Sequence, residues 1–407
     1  MPKSTEANSA SVGRVRIYLT TLGSRGDHEP FRALAHEAAK RGHEVHFAHT
    51  NDLPTDPSAT YTEWELPGSI EKWISQSGVS VMKALKDFRE HLKPLQEAIL
   101  EESARQIRSL KPDVVVYHPK VQTAPVVAHE VGAIAVLAEP MPIMTPTKEF
   151  PTGAIVANFG PWLNRQTYRL VDWGIKAFGD QAVTLARRLG VSATPDLTVC
   201  AVSPTLVPTP HDWPDTATVT GQWHFPAHEK LDKEISEFIS SGDVLYAGVG
   251  SMKRGDPVRR ARVIVEAARS LGMKTLLVKG WGGLEPDEDI AQASDVLVRE
   301  SVNHSAVLPH MSVAIHHGGA GTTHAMLRAG VPSVFMPFIV DQPWWAMRLH
   351  AAGLGPKAVS PSSQRAEVLA KAIASAKGYT DAVKRASQKI NAENGVATAM
   401  DFIESRA

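Results

Sequence analysis

The run VAIHHGGAGTTHAMLRAGVP, residues 313–332, contains the pattern on which the fold prediction depends. An apolar segment leads into His316 and His317, a cluster of small residues follows, and Thr322 opens a helical pattern. This is the order of a strand, a glycine-rich turn and a helix in a parallel α/β sheet. Small residues let backbone N–H groups approach an anion, and a helix N-terminus adds donors and a favourable dipole. The run therefore predicts a phosphate-binding turn, with a tight-packing turn as the alternative, because both the P-loop lysine and strict GxGxxG spacing are missing.

The same alternation of strand and helix continues on both sides of this run. Short apolar runs followed by helical patterns indicate parallel strands with turns at their carboxyl ends. Strands are predicted at 15–20, 45–50, 112–119, 133–140, 243–251, 274–280, 294–300, 313–319 and 332–338. The fold class is therefore α/β, with two Rossmann-like domains.

A stretch with little periodicity divides the two series of strands. Residues 203–228 contain five prolines and are the best linker candidate. We predict a disordered tail over 1–13, a first domain over 14–215, a linker over 216–228, a second domain over 229–380 and a final helical segment over 381–407.

The composition is that of an ordinary globular protein. Lys plus Arg and Asp plus Glu both total 43 in 407 residues, so the net charge is zero and gives no support for a nucleic-acid partner. The single cysteine, Cys200, lies in an apolar run and is predicted to be buried. The polar start of the chain does not resemble a signal peptide, and no run reaches the roughly 18–20 apolar residues of a membrane span. We expect a cytoplasmic protein, for which transient contact with a membrane surface and the oligomeric state remain open.

Two further turns carry polar side chains directly after predicted strands. Gly250 and Ser251 end the strand at 243–251, at the sheet edge where α/β proteins bind ligands. Asp341 and Gln342 follow the strand at 332–338 and could bind the hydroxyl groups of a sugar. The alternative for Asp341 is a simple N-cap of the following helix.

The first predicted strand ends in GSRGDHEP, residues 23–30, which places Asp27 and His28 side by side at a strand-to-helix turn. Either side chain could accept a proton. His28 is expected to begin the helix, and Asp27 to face the ligand. An unperturbed aspartate with a pKa near 3.9 is a weak base, so Asp27 would need desolvation or a partner near neutral pH.

Four segments in order, GSRGDHEP, GVGSM at 248–252, HHGGAGTTHAMLRAGVP at 316–332 and DQPWWAMRL at 341–349, resemble the UDP-glycosyltransferase superfamily. The resemblance is strongest to the branch with sterol glucosyltransferases and actinobacterial macrolide and glycopeptide glycosyltransferases. It implies the GT-B fold, in which two Rossmann-like domains face each other across a cleft and the C-terminal helix returns to the first domain. It also implies an inverting transfer without metal, cofactor or covalent intermediate, with a nucleotide sugar as co-substrate.

The resemblance assigns roles to individual residues. Asp27 takes the position of the usual catalytic histidine, and His118, in VVVYHPK, is a candidate partner with the order of proton transfer open. A role of His118 in capping or in the acceptor pocket is the alternative. The implied donor-binding residues are Ser24, Gly250, Ser251, Trp281, Val302, His317, Gly319, Gly321, Thr322, Asp341 and Gln342.

The acceptor half is less clearly defined. Residues 141–165 are rich in proline, methionine and aromatic residues and are predicted to form an apolar loop over the acceptor, with a helical packing segment as the alternative. The acceptor-binding candidates are Met141, Met144, Phe150 and Trp162.

The expected reaction moves a hexose, glucose by default, from a UDP- or dTDP-sugar to a sterol, terpenoid, polyketide or phenol. A sugar-nucleotide 2-epimerase and a nucleotide-sugar-binding auxiliary protein without turnover are the alternatives. Asp287 and Asp289 have the spacing of a DxD motif, but their polar context predicts a solvated loop and no metal site.

Overall fold

The computed structural model describes residues 13–23, 25–52, 54–69, 93–178, 181–225, 230–250, 255–280, 282–339, 341–363 and 365–407. Two parallel sheets, one of seven strands and one of five, dominate the described part of the chain. Each belongs to an α/β unit of the kind that the alternating pattern predicts. This pair of parallel α/β units is the GT-B architecture.

The first α/β unit contains the seven-stranded sheet. Its elements are β1 (Arg16–Thr20), α1 (Arg25–Lys40), β2 (Glu44–Thr50), β3 (Thr62–Leu66), α2 (Lys93–Leu110), β4 (Val114–Tyr117), α3 (Ala124–Val131), β5 (Ile134–Glu139), α4 (Pro161–Phe178), α5 (Gln181–Leu189), β6 (Leu197–Cys200) and β7 (Ala217–Val219). The strands lie in the order β3-β2-β1-β4-β5-β6-β7. The order reverses between β1 and β4, which is the position where doubly wound sheets bind ligands.

The second α/β unit repeats this plan with five strands. Its elements are α6 (Lys233–Ser240), β8 (Val244–Gly248), α7 (Pro257–Ser270), β9 (Lys274–Val278), α8 (Glu288–Ala291), β10 (Val296–Arg299), α9 (His304–Val307), β11 (Val313–His316), α10 (Ala320–Arg328), β12 (Ser333–Phe335), α11 (Gln342–Ala351) and α12 (Ala366–Lys377). The strand order β10-β9-β8-β11-β12 reverses between β8 and β11. The phosphate-binding candidate thus follows a strand at the second reversal.

Both sheets are buried on their two faces. Ile17 and Leu19 of β1 pack into one cluster and Tyr18 into the opposite one, as the two-residue period of a strand requires. Leu245 and Tyr246 of β8 divide in the same way in the second unit. Cys200 is fully buried, as predicted, and burial raises the pKa of its thiol well above the ordinary value.

The two units share a further apolar cluster. Cys200 and Val219 from the first sheet pack in it with Leu327 of α10 and with Trp344 and Trp345 of α11. A buried histidine joins the units by hydrogen bonds: His324 of α10 donates from Nδ1 to the Ala320 carbonyl (2.8 Å) and accepts at Nε2 from the Ser203 N–H (3.1 Å). The two units are therefore in direct contact, through residues at the ends of β6 and β7 in the first unit and on α10 and α11 in the second.

The final segment of the chain contains two helices where the sequence predicted one. Helix α13 (Thr380–Ala392) packs against α10, and Val383, Ala386 and Ile390 join the shared cluster. Helix α14 (Gly395–Glu404) packs against α1 of the first unit. The return to the first unit is therefore made by α14 and not by the whole segment, because the extended Glu393 backbone interrupts the helix.

The chain crossing at the start of α14 is unusually tight, and it supports a prediction. A Cβ atom at Gly395 would lie 2.5 Å from the Gln222 carbonyl oxygen and 2.5 Å from the Gly221 carbonyl carbon. Backbone atoms cannot give way as a side chain can, so Gly395→Ala is expected to lower the free energy of unfolding by about 1–3 kcal/mol. Thermal and urea unfolding measure this, with Gly13→Ala as control because no atom lies within 4 Å of a Cβ there. Equal stabilities of the two variants would contradict the prediction.

The structure differs from the predicted elements in two further places. Strand β3 lies in the region where the sequence showed weak strand signals, and β7 lies inside the segment predicted as linker. Both are edge strands, and β7 is only three residues long, so tertiary pairing and not periodicity specifies them. Residues 141–160 form turns and irregular backbone. The alternative prediction, a helical segment, applies only to the end of 141–165, where α4 begins at Pro161.

Candidate active site

The predicted functional residues lie on loops that follow the strands at the two reversals of strand order. Asp27 lies in the first turn of α1, after β1, and His118 directly follows β4. Gly250 follows β8, and His317 follows β11. The two groups lie near each other, since the Asp27 carboxylate is close enough to contribute to the raised pKa of Asp341 in the second unit. The structure therefore brings the predicted base and the predicted donor-binding residues to one cleft.

Asp27 is held by two nitrogen groups from the loop after β4. The Lys120 ammonium lies 3.0 Å from Asp27 Oδ1, and His118 Nε2 lies 3.2 Å from the same oxygen. Gly23, with a φ of 147°, makes room for this arrangement, because a Cβ there would overlap Asp27 Oδ2. The sequence reasoning paired Asp27 with His118 but missed Lys120, two positions further along the chain.

The hydrogen bonds determine where the His118 proton lies. The Lys120 backbone N–H donates to His118 Nδ1 (3.2 Å), so in the neutral ring the proton is on Nε2, facing Asp27. Burial, only partly offset by Asp27, lowers the pKa of His118, which keeps the ring neutral at neutral pH. The His118 Nε2–H group therefore lies 3.2 Å from Asp27 Oδ1, although it is not aligned well enough to count as a hydrogen bond.

The electrostatics of Asp27 differ from the sequence expectation. Burial works to raise the pKa of its carboxyl, but Lys120 and His118 outweigh burial and hold that pKa well below the ordinary value. Asp27 is therefore ionised throughout the physiological range and is a weak base. The first turn of α1 adds the favourable potential of a helix N-terminus.

Lys120 is expected to control the acid side of the pH profile. Removing the ammonium in Lys120→Met raises the pKa of Asp27, so more of the carboxylate is protonated in acid and kcat/KM falls as the pH drops. Lys120→Arg keeps the cation and is the matched control. The measurement is kcat/KM from pH 4 to pH 8 for the three proteins, and superimposable acid limbs of the wild type and Lys120→Met would contradict this prediction.

His28 supports the turn that carries Asp27. It was expected to begin the helix, whereas α1 already starts at Arg25 and the His28 side chain is fully buried. Its Nε2 lies 3.1 Å from the Gly23 carbonyl oxygen and 3.2 Å from Thr50 Oγ1. Because a carbonyl only accepts, Nε2 carries the proton, and burial lowers the pKa of the ring to about 4. His28 is thus a neutral histidine that ties the Asp27 turn to β2.

The glycine-rich turn after β11 folds as a cradle beside a helix N-terminus. Gly318 has a φ of 90°, and its N–H donates to His316 Nδ1 (3.1 Å). Gly319 is the N-cap residue of α10 and has no side chain to cap the helix. A Cβ at Gly319 would lie 2.6 Å from His317 Nε2, so that imidazole lies directly over the start of the helix. Gly321 and Thr322 are in the first turn, where backbone N–H groups lack intrahelical acceptors.

His317 is a neutral group in this cradle. Burial, with a smaller contribution from His304, lowers the pKa of the ring to about 4. A neutral imidazole can donate one hydrogen bond to an anion at pH 7 without carrying a charge into the buried turn. Gly250, with a φ of 62°, lies against this ring: a Cβ there would be 3.4 Å from His317 Cε1. The two predicted phosphate-binding turns are therefore in contact.

Asp341 and Gln342 behave differently from each other. Asp341 occupies the N-cap position of α11, yet its side chain makes no capping hydrogen bond. Burial, and more weakly Asp27, raises the pKa of this carboxyl, and the Ala320 N–H donates to it. Gln342 Oε1 instead accepts from the Phe338 N–H (2.8 Å) and the Ile339 N–H (3.3 Å), so its oxygen orders the loop before α11.

The four acceptor-binding candidates differ in burial. Met141 and Phe150 are buried in the cluster between the two units, where Phe150 packs edge-on against Trp344 (6.1 Å). Met144 is half-buried against the first unit, and Trp162 is 72% exposed on α4. Apolar character alone could not separate packing residues from ligand contacts, because both need the same side chains.

A buried carboxylate that the sequence reasoning missed organises this segment. Glu139, at the end of β5, accepts hydrogen bonds from the backbone N–H groups of Ile143 (2.8 Å), Met144 (2.9 Å) and Thr145 (3.0 Å), and from the Thr145 hydroxyl. Burial raises the pKa of the Glu139 carboxyl in spite of these donors. Glu139 therefore determines the path of the chain next to the cleft.

Several predicted residues remain. Ser24, Ser251 and Trp281 lie outside the described residues. Val302 is half-buried and packs on the face of the second sheet to which Tyr246 of β8 contributes. Asp287 caps α8 by accepting from the Ile290 N–H (3.1 Å) and pairs with Arg262, so this half of the DxD-like motif is structural. Within the described ranges, no group of three or more histidine, cysteine, aspartate or glutamate side chains has a geometry that could hold a metal ion.

The two α/β units have the GT-B fold, and the proteins to which the chain is similar are glycosyltransferases. The family described as erythromycin biosynthesis protein CIII-like, C-terminal domain, matches residues 287–399. Among solved structures, the glycosyltransferase of kitacinnamycin superposes with a TM-score of 0.72 at 20% identity, covering 97% of this chain and 99% of that one.

The chain is related to sterol and macrolide glycosyltransferases, as the motifs indicated. A sterol 3-beta-glucosyltransferase of Arabidopsis thaliana is 28% identical over 98% of this chain and 69% of its own length. An O-mycaminosyltylonolide 6-deoxyallosyltransferase of Streptomyces fradiae is 29% identical over 97% of this chain and 98% of its own length. The chain spans only 27% of the length of a Cryptococcus neoformans sterol 3-beta-glucosyltransferase. Among the described helices, none has the length and apolarity to cross a membrane.

Proposed function

We propose that this protein is an inverting glycosyltransferase that moves a hexose, glucose by default, from a UDP- or dTDP-sugar to a hydroxyl group of a lipophilic acceptor. Sterols, terpenoids, polyketides and phenols are the acceptor classes. The observation that carries the proposal is that Asp27, with His118 and Lys120, lies at the reversal of strand order in one unit, while His317 lies over the N-terminus of α10 at the reversal in the other.

In the proposed reaction, the acceptor oxygen attacks the anomeric carbon while the bond to the nucleoside diphosphate breaks. Asp27 takes the acceptor proton, and His118 and Lys120 orient the Asp27 carboxylate. The tautomer of His118 supports this order, since its Nε2–H faces Asp27 and its Nδ1 is occupied by a backbone N–H. A base that stays ionised suits a displacement in which proton transfer is late, because the oxygen becomes acidic only as the new bond forms.

The leaving group is proposed to lie on the cradle. His317 donates to the diphosphate from a neutral ring, and the first-turn N–H groups of Gly321 and Thr322 supply the remaining donors. These groups are fixed before the reaction, so they stabilise the developing negative charge without reorganisation and without a metal ion. Asp341 is proposed to accept hydrogen bonds from the sugar hydroxyls, while Gln342 acts mainly through the loop that it orders.

A donor and acceptor screen tests the proposal. The purified protein is incubated in EDTA with UDP- or dTDP-sugars and a panel of lipophilic alcohols, and nucleoside diphosphate release and the anomeric configuration of the product are measured. We expect release only with an acceptor and inversion at the anomeric carbon. Release without any acceptor dependence, retention of configuration, or a 2-epimerised nucleotide sugar would overturn the proposal.

A further inference from the structure

Helix α4 has its large apolar side chains on the outside. Trp162 and Trp173 are each 72% exposed, Leu170 is 62% exposed and Leu163 is 46% exposed. The buried face of the same helix carries Asn164, Thr167 and Tyr168. A surface helix of a globular protein normally has the opposite arrangement, with the apolar stripe facing the core. The outer face of α4, defined as Trp162, Leu163, Arg165, Arg169, Leu170 and Trp173, therefore needs an explanation.

Hydrogen bonds on the inner face prevent α4 from turning its apolar face inward. The Asn164 amide donates to the Lys148 carbonyl (3.1 Å) and to Asn158 Oδ1 (3.0 Å), and Asn164 Oδ1 accepts from the Phe159 N–H (3.1 Å). Thr167 Oγ1 accepts from the Thr152 N–H (2.9 Å). Rotating the helix would break these hydrogen bonds and leave the N–H groups of Thr152 and Phe159 without their acceptors, which is costly where those groups stay buried. The exposure of the indoles is thus specified by the packing of the inner face.

The exposed side chains form an ordered stripe. With about 100° per residue, Trp162 and Trp173 point in nearly the same direction and lie about 16 Å apart along the helix axis. Leu163 and Leu170 follow on one flank, and Arg165 and Arg169 are exposed on the other. Phe159 and Val156, 52% and 42% exposed, extend the apolar surface into the preceding loop. In the described ranges, the other exposed large apolar side chains are isolated residues: Phe225, Val258, Leu271, Ile339 and Val368.

The size and chemistry of the stripe decide between its potential occupants. The two indoles, the two leucines, Phe159 and Val156 together expose on the order of 700 Å² of apolar surface, which is below the roughly 800 Å² per partner of a stable protein complex. A helix that lies in a membrane interface needs only one apolar face with a basic flank, and tryptophan is enriched at that depth. The half-exposed Asp172 lies beside Arg165 and Arg169, so the flank keeps a net positive charge. A protein partner would also need a concave surface that matches the single convex helix.

We propose that the outer face of α4 docks on the surface of a bilayer that contains anionic phospholipids. The tryptophans and leucines enter the boundary between headgroups and acyl chains, and Arg165 and Arg169 pair with lipid phosphates. The docking concerns phospholipid only, so it does not depend on which sugar or acceptor the enzyme uses. Docking would nevertheless hold the first unit, which is proposed to bind the acceptor, next to the lipid in which lipophilic alcohols dissolve.

Vesicle flotation tests the proposal with phosphatidylcholine vesicles that contain or lack phosphatidylglycerol. The wild-type protein is expected to float with the anionic vesicles, and more weakly at high salt. Leu170→Ser combined with Trp173→Ser is expected to reduce the bound fraction on the order of tenfold, and Arg165→Gln with Arg169→Gln to remove the preference for phosphatidylglycerol. Val258→Ser with Leu271→Ser is the control, because these exposed apolar side chains lie on α7 and at its end.

Thermal unfolding of each variant shows whether the fold is intact, and all the changed side chains are exposed. Failure of the wild type to float with either vesicle overturns the proposal, and so does equal flotation of the wild type and the Leu170/Trp173 variant. Light scattering identifies the competing occupant: a dimer that the Leu170/Trp173 variant abolishes, without any vesicle binding, would assign this face to a second copy of the chain.

Discussion

Asp27→Asn is expected to reduce kcat by roughly a hundredfold to ten-thousandfold, the range over which a positioned general base accelerates proton transfer. Asparagine has the same shape but cannot take the acceptor proton. The KM values for donor and acceptor should change little, because the carboxylate acts on the proton and not on the remainder of either substrate. Steady-state kinetics with a nucleotide sugar and a reactive acceptor measure this effect.

The role of His118 can be separated from that of Asp27 by a second substitution. His118→Ala removes the Nε2–H donor 3.2 Å from Asp27 but leaves Lys120 in place. If the pair acts together, this variant loses a substantial part of the turnover. Near-normal turnover of His118→Ala beside an inactive Asp27→Asn would show that Asp27 acts without it, whereas an active Asp27→Asn would contradict the assignment of the base.

Asp27 also connects activity to stability. Because its folded-state pKa lies below the unfolded-state value, its ionised form stabilises the native protein above the unfolded pKa of about 4. That contribution is lost as the pH falls through the depressed folded-state pKa. Loss of activity between pH 7 and pH 5 in the wild-type protein therefore has to come from another group.

His317→Ala is expected to lower kcat/KM by roughly a hundredfold to a thousandfold, as the loss of one preorganised donor to a developing anion does in other enzymes. The effect follows from the position of Nε2 over the N-terminus of α10 and from the dry environment that lowers the pKa of the ring to about 4. His317→Gln, which retains an N–H donor, should keep part of the activity. A donor-induced rise in the unfolding temperature should also be smaller in His317→Ala.

His310→Ala is the matched control for His317, since His310 is an exposed histidine of the same unit. It should behave as the wild type in both measurements. If His317→Ala retained wild-type kcat/KM and the full thermal shift with nucleotide sugar, the cradle would not be the diphosphate site. The alternative interpretation of the turn as a packing device would then stand.

Much of the architecture was predictable because it depends on local patterns. The run at 313–332 specified a strand, a turn and a helix, and the fold and enzyme class inferred from the motifs are confirmed. The edge strands β3 and β7 were missed, since their weak or short patterns need a neighbouring strand to become ordered. The end of the chain appeared as one helix, because the interruption at Glu393 has no glycine or proline signal at that residue.

The candidate site was predictable in its positions but not in its electrostatics. Turns at the carboxyl ends of strands identified Asp27, His118 and His317 as neighbours of a ligand. The sequence could not show that Lys120 would lie 3.0 Å from Asp27, or that Met141 and Phe150 would pack between the two units. These facts depend on side-chain directions and on contacts across separate loops, which no local periodicity encodes.

Two parallel α/β units and a glycine-rich turn before a helix follow from the sequence alone, because strand and helix periods and glycine positions are properties of neighbouring residues. The tertiary structure alone decided the protonation of the site and the outward apolar face of α4. Protonation depends on the summed effects of burial and charge at Asp27, and the direction of α4 depends on the hydrogen bonds of Asn164 and Thr167 to a distant loop. Both require atoms that only the folded chain brings together.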